Sequence, residues 1–118
     1  MIRYYAYQKC STCRKAKQWL ESQDIDFEEI AIREQTPTME ELKQALAAKG
    51  SIKALFNTSG MDYRALGLKD KLPTMSEQES LELLRSNGML VKRPFVTGAD
   101  ISLTGFKEQE WQEKLLKV

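Results

Sequence analysis

Apolar residues dominate the first segment, Ile2-Arg3-Tyr4-Tyr5-Ala6-Tyr7, and are mostly β-branched or aromatic, so residues 2–7 are predicted as a strand. Gln8 and Lys9 open a polar loop. From about Cys13 to Gln23 the period changes. Ala16, Trp19 and Leu20 fall at i, i+3 and i+4, the buried stripe of a helix, and Ser11 or Thr12 is available to cap it. Phe27, Ile30 and Ile32 then stand among acidic residues and predict a second strand over 27–32. Strand, helix and strand in so short a span form a βαβ unit, so the first two strands are expected to be parallel.

The pattern then becomes helical. Thr38 with Glu41 fits a capping box ahead of Leu42, Ala45 and Leu46, and Gly50 ends that helix. Residues 52–56 read as one or two helical turns, 57–60 as a polar loop, and Tyr63, Leu66 and Leu68 as the apolar side of a short helix. Ser76 with Glu79 fits a second capping box, with Leu81, Leu83 and Leu84 inside the helix and Gly88 stopping it. Residues 90–96 and 101–103 are strand candidates joined by a turn through Gly98, Ala99 and Asp100. Residues 107–117 form a last helix with Trp111, Leu115 and Leu116 on one side. A βαβ unit followed by a ββα unit is an α/β, thioredoxin-like arrangement with a mixed sheet. Residues 38–86 are then a helical insertion packed on one side of it.

Composition narrows the function. A chain of 118 residues is the size of one domain, read as spanning 1–118. Its 42% hydrophobic and 30% charged residues exclude a collagen-like or disordered chain. No apolar run suits a membrane helix, and the first residues do not read as a signal peptide, so a cytoplasmic protein without a membrane partner is expected. A net charge of +1 gives no reason to expect direct nucleic-acid binding. Histidine is absent, which excludes His-dependent triads and His-ligated metal sites.

Chemistry concentrates at Cys10-Ser11-Thr12-Cys13, which holds both cysteines. A bridge across so short a loop stabilises by only about 2 kcal/mol. One CxxC with no second pair and no histidine falls short of a zinc site, so no metal is expected. In a reducing compartment the motif points to redox chemistry. A helix N-terminus offers unpaired N–H groups and positive potential that favour a thiolate, and Arg14, Lys15 and Lys17 follow closely. Cys10, in the loop, is assigned as the nucleophile. Cys13, one turn inward, is assigned to resolve the mixed disulfide by attacking Cys10. No cofactor is expected. The predicted partner is a small thiol or a redox protein.

Lys92-Arg93-Pro94 is the second informative stretch. In a thioredoxin-like fold a cis proline precedes the third strand beside the CxxC, and Pro94 occupies that place. Arg93 would then lie near the thiolate and bind an oxyanion, carboxylate or phosphate. The predicted substrate contacts are thus Arg93, Pro94, and the Ser11 and Thr12 backbone. Trp19 and Trp111 read as core, and Lys69, Asp70 and Lys71 as solvated surface.

These motifs, together with Phe56-Asn57-Thr58-Ser59-Gly60, Tyr63-Arg64-Ala65-Leu66-Gly67-Leu68 and Gly105-Phe106-Lys107-Glu108, resemble the arsenate reductase (ArsC) and Spx family through essentially the whole chain. The resemblance implies a thioredoxin-like fold with a helical insertion, a reactive cysteine at Cys10, an Arg-Pro motif at Arg93-Pro94, and glutathione, glutaredoxin or thioredoxin as electron donor. Glutaredoxin-linked arsenate reductases carry three arginines around the oxyanion. Here only Arg93 matches; Asn57 stands at the insertion arginine, and Phe106, with Lys107 beside it, at the C-terminal one. Those enzymes also lack a counterpart of Cys13. Spx-type regulators share the CxxC and Arg-Pro pair, use the disulfide as a switch and bind RNA polymerase through a glycine near the position of Gly50. They also typically run further past their last helix than Val118. The expectation is a thiol–disulfide oxidoreductase, with a redox-sensing regulator of RNA polymerase as the alternative.

Overall fold

The computed structural model describes residues 1–116. Its centre is a four-stranded sheet in the order β2-β1-β3-β4, with β1 (Ile2–Ala6), β2 (Phe27–Ala31), β3 (Phe95–Thr97) and β4 (Ser102–Thr104). β1 pairs in parallel with β2 and antiparallel with β3, and β3 pairs antiparallel with β4. The parallel pairing follows from the crossover through α1 (Ser11–Ser22). The expected thioredoxin-like fold class is therefore the observed one.

Alternation along β1 assigns the two faces. Ile2, Tyr4 and Ala6 meet Cys13, Ala16, Trp19 and Leu20 of α1, with Val96, Leu103 and Trp111. Tyr5 points the other way, with Ile30 and Phe95, into a second cluster. That cluster is closed by α2 (Met39–Lys49), α3 (Met61–Ala65), α4 (Leu68–Lys71) and α5 (Glu77–Ser86) through Leu42, Ala45, Tyr63, Leu68, Leu81 and Leu84. The insertion does pack on one face of the sheet. Each buried leucine there contributes about 1.5–3 kcal/mol.

Both capping boxes form, at Thr38–Glu41 and Ser76–Glu79. Glu41 also ties α2 to the sheet: one carboxylate oxygen accepts from the Tyr5 hydroxyl at 2.7 Å, and the other from Arg3 Nη1 at 3.1 Å. Gly50 caps α2 at φ +74°, as expected.

Several details differ from the sequence reading. α1 begins at Ser11, and its cap is Cys10 rather than Ser11 or Thr12. The strand expected over 90–96 is only Phe95–Thr97; Gly88–Leu90 is a 3-10 turn and Val91 makes one isolated bridge to Phe56, while the Arg93–Pro94 bond is cis, as expected. Leu66 is 41% exposed, since the expected short helix divides into α3 and α4 around Gly67 at φ +65°. The last helix is α6 (Glu108–Trp111) followed by a wider turn at Gln112–Leu116; Lys117 lies outside the described residues.

Gly88 does not end α5, which stops at Ser86 with Asn87 as its cap. Its role is close approach. A Cβ at Gly88 would lie 2.1 Å from the Ile32 carbonyl oxygen, a backbone atom that cannot swing aside. Gly88→Ala is therefore expected to cost about 2–3 kcal/mol, as overpacking does, read as a lower midpoint in urea unfolding. An unchanged midpoint would mean that the segment before Arg93 yields freely.

A dithiol at a helix terminus facing a cation-lined cavity

Cys10 follows the β1 strand end through a tight turn, its N–H donating to the Tyr7 carbonyl at 3.0 Å. Its backbone is extended (φ −97°, ψ 114°), and its Sγ accepts the Cys13 N–H at 3.2 Å. A side chain in this position satisfies one of the orphan donors of the first helical turn. Here that acceptor is the sulfur itself, so the Cys10 side chain closes the N-terminus of α1.

Cys13 is different. It is 2% exposed, and Tyr4, buried beneath α1, donates its hydroxyl to the Cys13 carbonyl. Burial first, and the hydrogen bond with Cys10 second, push the Cys13 thiol up to about 12. Both cysteines are free thiols, so the structure is that of the dithiol form.

Between about pH 9 and 12 the folded chain keeps a proton on Cys13 that the unfolded chain has lost. The stability contributed by burying the neutral thiol is complete below that range and falls as pH rises through it. Burial also raises the Tyr4 and Tyr5 phenols, so a variant comparison is needed to isolate the thiol. The margin of wild type over Cys13→Ala, from urea unfolding, is expected to shrink from pH 9 toward pH 12; a constant margin would contradict it.

The basic flank of α1 is used elsewhere. Arg14 Nη1 donates to the Gln8 carbonyl at 3.0 Å, and Lys17 pairs with Glu29 at 2.9 Å. The cations that do face Cys10 come from distant segments. A cavity of about 320 Å³ is lined by Cys10, Thr12, Asn57, Ser59, Lys92, Arg93, Thr104, Gly105, Phe106 and Lys107. It brings together the predicted Cys10, Thr12 and Arg93. Asn57 and Ser59 reach it from the loop before α3, and Lys107 from the turn after β4. Ser11 is exposed as the first residue of α1, and Pro94 is buried behind Arg93; neither lines the cavity. Lys92 and Thr104 are lining residues the sequence did not single out. The only local signal was that Lys92 adjoins Arg93.

Arg93 is more than an edge charge. Its guanidinium lies 5.5 Å from the Tyr7 ring centroid, and its Nη1 donates to the Met89 carbonyl at 3.1 Å. Its Nε is buried without a partner. Arg93→Ala is expected to cost about 1–2 kcal/mol from these two contacts and to weaken phosphate binding. A thermal melt and a phosphate titration, run side by side, check both. Unchanged phosphate binding would reduce Arg93 to a brace.

A family model described as the ArsC family matches residues 5–114. The chain belongs to the ArsC family. Among relatives, the uncharacterised protein YusI of Bacillus subtilis is 52% identical over 95% of this chain and 96% of its own. The regulatory protein MgsR of Bacillus subtilis is 32% identical over 92% of this chain and 86% of its own. The global transcriptional regulator Spx of Enterococcus faecalis is 31% identical over 93% and 83%. The crystal structure of an ArsC family related protein from Bacteroides fragilis superposes with a TM-score of 0.89 at 45% identity, covering 95% of both chains. ArsC-type proteins and regulators thus stand on both sides of this chain. Among the described residues no helix is long and apolar enough to cross a membrane.

Proposed function

We propose that this protein is a cytoplasmic thiol–disulfide oxidoreductase in which Cys10 is the nucleophile and Cys13 the resolving thiol. The observation that carries the reading is the Cys13 N–H donated to Cys10 Sγ at the start of α1, with Cys10 open to the cavity and Cys13 buried one turn inside. The Cys10 thiolate attacks one sulfur of a substrate disulfide. The S–S bond breaks, one thiolate leaves, and a mixed disulfide remains on Cys10. Two of the influences that raise Cys13, the hydrogen bond and the like charge of Cys10, then vanish. Cys13 gives its proton to the thiolate released in the first step, attacks Cys10 Sγ and expels the second thiolate. The resulting Cys10–Cys13 disulfide takes two electrons from glutathione, glutaredoxin or thioredoxin to restore the dithiol.

The test is steady-state reduction of a small disulfide with each donor in turn. Turnover that depends on one donor supports the reading; no turnover with any of them opposes it. Cys10 is also expected to alkylate before Cys13 near neutral pH, read by fragment mass spectrometry of partly labelled protein. Cys13 labelled first would reverse the two roles.

The similarity to MgsR and Spx favours a second reading, a redox sensor that binds RNA polymerase. Gly50 is exposed, and a Cβ there would meet nothing within 4 Å, but its left-handed φ already explains the glycine. A pull-down with the RNA polymerase α-subunit separates the two: stable binding without turnover favours the sensor.

A further inference from the structure

The side chains around Cys10 are of one charge. The cavity lining includes Lys92, Arg93 and Lys107 and no carboxylate, although the chain as a whole balances 18 Lys and Arg against 17 Asp and Glu. None of the ion pairs among the described residues uses these three cations. Lys92 is held in place. Its backbone N–H donates to the Leu55 carbonyl at 2.9 Å. Its stem lies against Gly105, where a Cβ would come 3.0 Å from Lys92 Cε, and Gly105 has φ +72°. Lys107 follows two residues later along the same wall. The volume, about 320 Å³, suits a small molecule.

We propose that the disulfide attacked by Cys10 is a small one bearing carboxylates, and that Lys92 and Lys107 are the residues that select it. The proposal rests on the reading of Cys10 as the nucleophile. A carboxylate is a monoanion that one or two ammonium donors can satisfy. An anionic disulfide is repelled by a free thiolate, and two lysines at the cavity mouth offset that repulsion. The same charges stabilise the leaving thiolate. Two electrons pass from the Cys10–Cys13 dithiol to the substrate, which leaves as two carboxylated thiols.

The experiment uses three disulfides of similar size: 3,3′-dithiodipropionate (anionic), bis(2-hydroxyethyl) disulfide (neutral) and cystamine (cationic). Each is reacted with the reduced protein in a single turnover, and formation of the Cys10–Cys13 disulfide is followed by intact mass. The readout is the ratio of anionic to neutral rate. Lys92→Ala and Lys107→Ala are each expected to lower that ratio about threefold to tenfold, and the double variant more. Lys92→Glu is expected to favour cystamine over the anionic disulfide. Added salt should erase the wild-type preference. Lys71→Ala, outside the cavity, should leave the ratio as it is. If the neutral disulfide reacts but the lysine variants leave the ratio untouched, the selectivity proposal is overturned and the thiol chemistry stands. If no disulfide oxidises the Cys pair, the reading of Cys10 itself falls.

Discussion

Replacing Cys10 with serine is expected to abolish disulfide reduction while leaving the stability of the fold nearly unchanged. The two effects separate because Cys10 has two roles. As the cap of α1, its side chain accepts the Cys13 N–H. Serine is among the best residues for that position, so Cys10→Ser keeps an acceptor on the same donor; Cys10→Ala removes it and should cost about 1 kcal/mol. As a nucleophile, sulfur has no substitute in the chain but buried Cys13. A serine hydroxyl does not exchange with disulfides, so the rate should fall about a thousandfold or more. Urea unfolding and single-turnover kinetics on both variants test the separation. Loss of stability in Cys10→Ser equal to that in Cys10→Ala would mean that the cap contributes nothing. Residual turnover in either variant would assign the chemistry to Cys13.

Arsenate reduction is expected to be weak or absent. A dianionic oxyanion taken out of water requires several charge-assisted donors. The family resemblance implies three arginines for that purpose, and the cavity here holds one. Asn57 and Phe106, which the resemblance sets at the other two arginine positions, line the wall with Lys107, and one nitrogen of Arg93 already serves the Met89 carbonyl. Lysine is a point charge and does not reproduce a bidentate fork. Each missing charged hydrogen bond is worth about 1.5–3 kcal/mol, so two such losses weaken binding at least about a hundredfold. Arsenate turnover coupled to glutathione and glutaredoxin is the measurement. Efficient turnover at a micromolar Michaelis constant would show that Asn57, Lys107 and the backbone of the loop replace the arginines.

The parts of this fold that the sequence revealed are those governed by neighbours in the chain. Thr38 and Glu41, or Ser76 and Glu79, cap a helix within one turn, and that interaction is written in four consecutive residues. The stripe Ala16, Trp19 and Leu20 defined α1 for the same reason. Its first residue was misplaced because cysteine is not an ordinary cap, and only the geometry shows Cys10 Sγ accepting an N–H. Leu90 and Val91 mimicked a strand by composition. Their backbone instead turns through Gly88–Leu90, and Val91 bridges Phe56, a partner 35 positions earlier in number. Of the cavity, Cys10, Thr12 and Arg93 were legible in the motifs and Asn57, Phe106 and Lys107 through the family resemblance, while Lys92 and Thr104 were not. Lys92, Thr104 and Lys107 converge on Cys10 only because β3 and β4 return beside β1. The chain pattern gave no sign that Arg14 and Lys17, adjacent to the CxxC, would turn to Gln8 and Glu29.

In the proposed two-step exchange, begun by Cys10 and completed by Cys13, the mixed disulfide on Cys10 can be trapped. The reduced wild type and the Cys13→Ser variant are each mixed with an excess of a small disulfide, and intact mass and released thiol are read over time. The wild type should release two thiols per chain and end two hydrogens lighter, without an adduct. The variant should release one thiol and retain the other half of the disulfide on Cys10. A stable adduct on the wild type, or a variant that takes up no adduct, would contradict the account.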